Sequence, residues 1–205
     1  MYNIPYFKAA SSDSVIKLME EFPFAVLMGV DKDLKPVATQ VPLSVEQREE
    51  GIFLKGHIMR NTSHHLAFES NGNVMALFHG PHAYISAEWY ENKDQASTWN
   101  YLSVQASGLI TFLGENELVE ILRSTTNRFE KKGSPSSFES LPETYVSKHL
   151  KAIIGFEIKV ISLDHTFKLS QNKDEKTFTS ILAQLDHGDE QSRALAFQMR
   201  NHKPS

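Results

Sequence analysis

The segment LKGHIMRNTSHHLAFES, Leu54 to Ser70, holds three of the chain's nine histidines beside Arg60 and the small polar residues Asn61, Thr62 and Ser63. Residues of these types bind metals, nucleic acids or anions. A metal is disfavoured: His57, His64 and His65 lack the i, i+4 spacing of a helical zinc pair, and no HExxH occurs. Adjacent His64 and His65 point about 100° apart on a helix, so both read as packing residues and no metal site is expected. Arg60 and Asn61 differ, because they lie where a strand ends and a helix begins. There the guanidinium fork, the Asn61, Thr62 and Ser63 side chains and the helix N-terminal N–H groups can converge on one anion.

A second dense region is FHGPHAYISAEWYENKDQASTWNY, Phe78 to Tyr101. Trp89 and Tyr90 suit an aromatic core under a loop equally well. Trp99 and Asn100 suit a planar ligand better, since an indole offers a stacking face and an amide can read the edge of a heterocycle. A third, FKLSQN at Phe167 to Asn172, puts Lys168 and Gln171 three residues apart at a strand end. That spacing alone describes a solvated lysine as readily as a ligand contact.

The elements that must position these residues alternate between helices and strand pairs, as in a barrel decorated by helices rather than repeated βαβ units. Ser12 or Asp13 can cap a helix that stops before Pro23. Strands are expected at Phe24 to Val30, Val37 to Val45 and Ile52 to His57, with EQREEG as the hairpin loop before the last. A short helix follows from Thr62 to the Asn71-Gly72 stop, then a strand from Val74 to Phe78. Gly80-Pro81 reads as a turn into the aromatic loop, and Tyr101 to Leu113 as a long strand with Gly108 inside it, a bulge candidate. Glu115 to Lys132 has the clearest helical period, through Leu118, Ile121, Leu122, Thr125 and Phe129. A helix near Glu143 to Lys151, strands at Ile153 to Ser162 and Thr166 to Ser170, and two tail helices broken at His187-Gly188 complete the pattern.

Composition narrows the function classes. A chain of 205 residues, 40% apolar, can bury a core of its own. Without cysteine there are no disulfides, thiolate metal sites, iron–sulfur clusters or cysteine nucleophiles, which suits a reducing cytoplasm. MYNIPYFKAASSDS lacks the pattern of a secretory signal, and the longest apolar run, Phe24 to Val30, is too short to span a bilayer, so a cytoplasmic protein without a membrane partner is expected. With 21 Lys+Arg against 25 Asp+Glu, the net charge of −4 provides no field to gather DNA.

In their order and spacing, KGHIMRN, FHGPHAYIS-x-x-WY, TWNY, IIGFEI and KLSQN resemble the PaiB-like family of FMN-binding split-barrel proteins, from about Tyr2 to the tail. The chain is similar, more loosely, to pyridoxamine phosphate oxidase-like flavoproteins, where a strand-turn-helix with Arg and small polar residues holds the FMN phosphate. The resemblance implies an α+β, mainly antiparallel fold: a six-stranded split barrel with peripheral helices over residues 1–172, and a helical extension over 173–205 packed on it. It further implies a homodimer with one FMN at each subunit interface. Arg60 and Asn61, assisted by Thr62 and Ser63, would bind the phosphate. Thr39, Gln40 and Val41, beside Lys55, Gly56 and His57 on neighbouring strands, would lie along the ring and ribityl chain. From the partner subunit, Trp99 and Asn100 would cover the ring, while Lys168 and Gln171 would approach its polar edge. Lys168 is then the best catalytic candidate, because a cation there stabilises negative charge added to the ring. One departure stands out: Gln40, in TQVPL, replaces an expected His.

The resemblance leaves several functions open. One is a flavin reductase or related oxidoreductase, taking electrons from NADH or NADPH and delivering them to FMN or a small-molecule acceptor. No GxGxxG occurs, so the nicotinamide would bind transiently. A transcriptional regulator is the second, opposed by the charge balance and by Asp189 and Glu190 at the start of the segment most like a recognition helix. The third is a flavin-dependent haem-processing protein, which no sequence feature selects. Hydrolase chemistry lacks GxSxG and any recognisable triad.

Overall fold

The computed structural model describes residues 4–131 and 133–202. Seven strands, β1 (Phe24–Val30), β2 (Pro36–Pro42), β3 (Ser44–Arg48), β4 (Gly51–Met59), β5 (Asn73–Ile85), β6 (Thr98–Phe112) and β7 (Ile153–Lys168), form one antiparallel sheet in the order β2-β1-β5-β6-β7-β4-β3. Six helices accompany them: α1 (Ser12–Glu21), α2 (Ser63–Ser70), α3 (Glu115–Phe129), α4 (Glu143–Leu150), α5 (Glu175–Asp186) and α6 (Glu190–Asn201). The expected end of the third helix, at Lys132, lies outside the described residues.

Contacts divide the chain into two units. The first contains the described residues of Met1–Phe22, Phe78–Gln105 and Asp164–Ser205; the second contains those of Pro23–Leu77 and Ala106–Leu163. Helices α5 and α6 share the first unit with α1. The core of that unit includes Met19, Phe78, Phe167, Ile181 and Met199, and that of the second includes Leu27, Leu43, Leu54, Phe156 and Leu118.

The extra strand arises at Leu43. Val37 to Val45 was expected as one strand, but the chain leaves β2 at Pro42 and re-enters the sheet as β3 at Ser44. Leu43 donates its N–H to the Pro23 carbonyl at 2.9 Å and buries its side chain. The two end strands of the sheet are therefore consecutive in sequence, joined through one buried residue. Part of the expected EQREEG loop also becomes strand, because Glu46 and Arg48 pair across to Phe53 and Gly51.

Three further expectations change. Ser11, rather than Ser12 or Asp13, caps α1 by accepting the Ser14 N–H at 3.2 Å. Gly80-Pro81 is no turn: β5 continues to Ile85, and the in–out alternation slips there because both residues are buried, leaving His79 and His82 exposed. A Cβ at Gly80 would lie 3.1 Å from Leu102 Cβ and 3.2 Å from Leu18 Cδ1, so close packing favours glycine at this point of the strand. The last two expected strands are one, β7, continuing through polar Asp164 and His165.

A charged network crosses one face of the second unit. Arg48 binds Glu46 through Nε at 2.9 Å and Nη2 at 2.8 Å, and reaches Glu157 at 2.5 Å. Lys55 Nζ lies 2.7 Å from Glu46, and the Arg48 guanidinium sits 4.0 Å over the Phe53 ring. Hydrogen bonds from Arg48 and then Lys55 hold the Glu46 carboxyl at a pKa of about 2, well below its ordinary 4.5.

Two predictions follow from this packing. A Cβ at Gly108 would stand 2.1 Å from the Lys159 carbonyl oxygen, a backbone atom that cannot swing away. Gly108→Ala is expected to lower unfolding free energy by about 1–3 kcal/mol or more, measured by urea denaturation. For Glu46, whose pKa is depressed on folding, the stabilisation is complete above its unfolded pKa and lost as pH falls from about 4.5 towards about 2. Because Glu46 is substantially exposed, that contribution stays within about 0–1 kcal/mol. Thermal unfolding across this acid range should show a shallower pH dependence in Glu46→Gln.

Candidate functional site

The residues singled out in KGHIMRNTS meet at the junction of β4 and α2. As β4 ends, the Arg60 N–H bonds the Ala152 carbonyl and its Nε bonds the Ile153 carbonyl, both at 2.9 Å. These bonds clamp the arginine's stem to the start of β7 while its guanidinium remains exposed. Asn61 then turns the chain with φ of +60°, a left-handed conformation that asparagine tolerates better than most residues. Thr62 caps α2: its hydroxyl accepts the His65 N–H at 3.4 Å and donates to the Met59 carbonyl at 3.0 Å.

His65 supplies a contribution the sequence did not reveal. It is buried, its ring meets Phe112 edge-on at 5.0 Å, and its Nδ1 accepts the Asn61 backbone N–H at 3.3 Å. The expected packing role is therefore accompanied by a positioning one, since the imidazole holds the Asn61 turn. His64 Nε2 lies 2.9 Å from the Thr62 hydroxyl. The i, i+4 relation of Asn61 to His65 was the available clue, hidden because a backbone donor leaves no mark in residue type.

The remaining candidates in this unit divide. His57 shares β4 with Arg60; burial pushes its pKa down, and its Nδ1 is buried without a protein partner. Lys55 lies two residues away but is committed to Glu46 and Glu157. Gly56 faces inward, where a Cβ would lie 2.9 Å from both Leu43 Cδ2 and Phe156 Cζ and 3.2 Å from the Pro42 carbonyl oxygen. Thr39, Gln40 and Val41 lie on β2, paired with β1 rather than β4, so the two sets are not hydrogen-bonded neighbours. The end of β2 passes close to Gly56, where the Pro42 carbonyl lies. Gln40 is exposed, Thr39 half-buried and Val41 buried. A groove of about 900 Å³ is lined by Glu46, Arg48, Lys55, Glu157 and α3, whose Glu117 and Glu120 also line it, so acids outnumber bases and it is ill suited to an anion.

Trp99, Asn100, Lys168 and Gln171 belong to the first unit. Trp99 is 52% exposed and stands 5.8 Å from the Tyr84 ring and 6.1 Å from that of His82. Asn100 is fully buried, donating to Ser170 Oγ at 2.9 Å and to Met199 Sδ at 3.7 Å, so its amide is satisfied internally. Gln171 also turns inward: its Oε1 accepts the Leu169 N–H at 2.8 Å and its Nε2 donates to the Phe167 carbonyl. Lys168 donates to the Thr98 hydroxyl, and burial, followed by the charge of Lys173, lowers its pKa. Within one chain, then, Trp99 offers an open ring face, whereas the amides of Asn100 and Gln171 are engaged with Ser170, Met199 and the backbone of the turn.

The β4–α2 junction fits a phosphate. Among the described residues, the Arg60 terminal nitrogens and the Asn61 side-chain amide have no protein partner, and they adjoin the N-terminus of α2, an end of a helix that favours anions. No group of three His, Asp or Glu suited to a metal occurs among the described residues. No helix among them is long and apolar enough to cross a membrane.

Comparison with known proteins identifies the family. Residues 1–162 match the family described as "Putative FMN-binding domain". The chain is 31% identical over 188 residues to the Bacillus subtilis protease synthase and sporulation protein PAI 2, covering 91% of this chain and 90% of that one. Its fold is similar to the flavocytochrome Anf3 of Azotobacter vinelandii, with a TM-score of 0.62 at 14% identity over 87% of this chain and 78% of that chain. It is also similar to the FAD and heme binding protein of Mycobacterium smegmatis, with a TM-score of 0.59 at 15% identity over 78% and 72%. At such identities the structural likenesses show a shared fold alone. The extent of the family match and the PAI 2 similarity together show that the chain belongs to the PaiB-like family of FMN-binding domains.

Proposed function

We propose that this protein binds FMN through the β4–α2 junction and works as a flavin-dependent oxidoreductase of the flavin reductase kind. The carrying observation is the junction itself: Arg60 anchored by Ile153, Asn61 held in a left-handed turn by His65, and a capped helix behind them. FMN supplies reversible two-electron chemistry with a reduced nicotinamide as donor. Arg60, Asn61 and Ser63 provide fixed donors for the phosphate, whose charge needs partners already in place before it arrives. His57, with an unpartnered Nδ1 on the same strand, can hydrogen-bond a polar group of the bound cofactor.

The assembly we propose is a homodimer with FMN at the subunit interface. The exposed Trp99 face, flanked by Tyr84, His82 and His79, supports it, because an open aromatic surface gains by being covered. Within that assembly Lys168 is the cation closest in kind to what a reduced ring needs, and its lowered pKa reflects partial removal from water.

A regulator is the second reading, supported by the likeness to a sporulation protein. The only helix pair joined by a short turn, among the described residues, is α5–α6, yet both of its arginines are engaged within the protein. Asp189 caps α6 by accepting the Ser192 N–H at 2.8 Å, Arg193 donates to the Gly188 carbonyl, and Arg200 pairs with Asp186. An acid at the start of α6 would repel DNA phosphates there.

Three measurements test this. Titration of apoprotein with FMN should show binding weakened by Arg60→Ala by about 1.5–3 kcal/mol, the usual value of a charge-assisted contact. An unchanged dissociation constant would remove the junction as the phosphate site. Anaerobic mixing with NADH and NADPH should bleach the flavin band; a protein indifferent to both but forming a salt-sensitive, sequence-specific DNA complex would establish the regulator instead. Light scattering should report a dimer, and a monomer with full FMN stoichiometry would refute the shared interface.

A further inference from the structure

A cavity of about 170 Å³ opens in the first unit where β7 ends. Its walls include Tyr90, Thr98, Asn100, Lys168, Ser170 and Lys173, and no carboxylate lines it. The turn after β7 creates this arrangement. Ser170 adopts φ of +60°, and its carbonyl accepts the Lys173 N–H at 3.0 Å, so the chain doubles back and brings Lys173 to the same cavity as Lys168.

Neither lysine has an acidic partner among the described residues. Lys168 donates to the Thr98 hydroxyl and lies 5.9 Å from the Phe7 ring centroid. Lys173 donates to Gln95 Oε1 and lies 4.4 Å over the Tyr90 ring. Asp174, the acid adjacent in sequence, is engaged in capping α5, accepting the Thr177 N–H at 2.9 Å, and does not line the cavity. Two ammonium groups sharing a partly buried space without a counter-charge repel each other and lose hydration. Burial and the neighbouring Lys173 charge both lower the Lys168 pKa, as that repulsion requires. The cavity also contains hydroxyl and amide groups suited to an oxygen-rich ligand, and the Tyr90 hydroxyl is buried without a protein partner.

From this geometry we infer that the cavity is a binding site for a small oxyanion, a carboxylate or phosphate group held between Lys168 and Lys173. Its volume lies below the range of about 300–1,000 Å³ typical of sites for larger organic ligands, so it takes the anionic end of a substrate or a free anion, not a flavin ring. Lys173, Thr98 and Tyr90 thereby acquire a ligand role that neither their spacing nor the family resemblance assigned. The cavity is built within one unit and shares Lys168 with the proposed flavin site, so Lys173, which has no role in the flavin reading, separates the two.

Isothermal titration with inorganic phosphate and, separately, with malonate provides the test, at constant ionic strength set with sodium chloride. Saturable binding of at least one anion is expected. Lys168→Gln and Lys173→Gln should each weaken it about tenfold or more, the effect of losing a charge-assisted contact, while Lys173→Arg should largely preserve it. Preference for phosphate would identify a phosphoryl-bearing ligand, and preference for malonate a carboxylate. Circular dichroism of each variant separates a lost site from a lost fold. FMN titration of Lys173→Gln should match the unmodified protein, so failure of the flavin reading would leave this one intact. No saturable heat with either anion, or equal binding by folded glutamine variants, would overturn it.

Discussion

The corner at Leu43 is the constraint on which the second unit depends. One buried residue carries the chain from β2 at one end of the sheet order to β3 at the other, with its N–H satisfied by Pro23. Such a crossing brings backbone close to backbone, and Gly56 on β4 is a point of close approach, facing Leu43, Phe156 and the Pro42 carbonyl. A side chain there would push β2 away from β4. Because β4 runs directly from Gly56 to Arg60, the same close approach fixes the strand whose end carries the candidate phosphate site.

Beyond that strand, bonds between side chains and backbone groups set the site's geometry. Arg60 is held by two carbonyls at the start of β7, Asn61 by the ring of His65, and the helix by the Thr62 hydroxyl. Each bond fixes a donor before any ligand arrives, lowering the ordering cost of binding. The guanidinium nitrogens left over face solvent, where an anion can reach them.

The unit's other charges are organised differently. Arg48 and Lys55 are surrounded by Glu46 and Glu157, which neutralise them and leave little attraction for a further ion. Lys168 and Lys173, in the first unit, have no such acids. Equal side-chain charges thus have opposite consequences: one pair completes a surface network, and the other creates a demand for a counter-ion. Partner geometry, rather than charge count, distinguishes them.

Sequence by itself determined the elements with local signals. The period of Leu118, Ile121 and Leu122, the Thr62 cap, the Asn71-Gly72 stop and the His187-Gly188 break all marked helix limits, because capping and amphipathic spacing act within a few residues. The Arg60–Ser63 cluster was legible for the same reason, being contiguous, and the order of the family motifs identified its relatives. Tertiary structure decided what depends on distant partners. Leu43 breaks a strand because Pro23 offers a carbonyl; Gly80-Pro81 stays extended because Leu102 and Leu18 pack against it; Lys55 is neutralised by Glu46 and Glu157. Asn100 and Gln171, chosen for their amides, turn inward to Ser170 and to the backbone of their own turn. Residue type states what a side chain is able to bind, but burial and competing partners decide whether that capacity remains free.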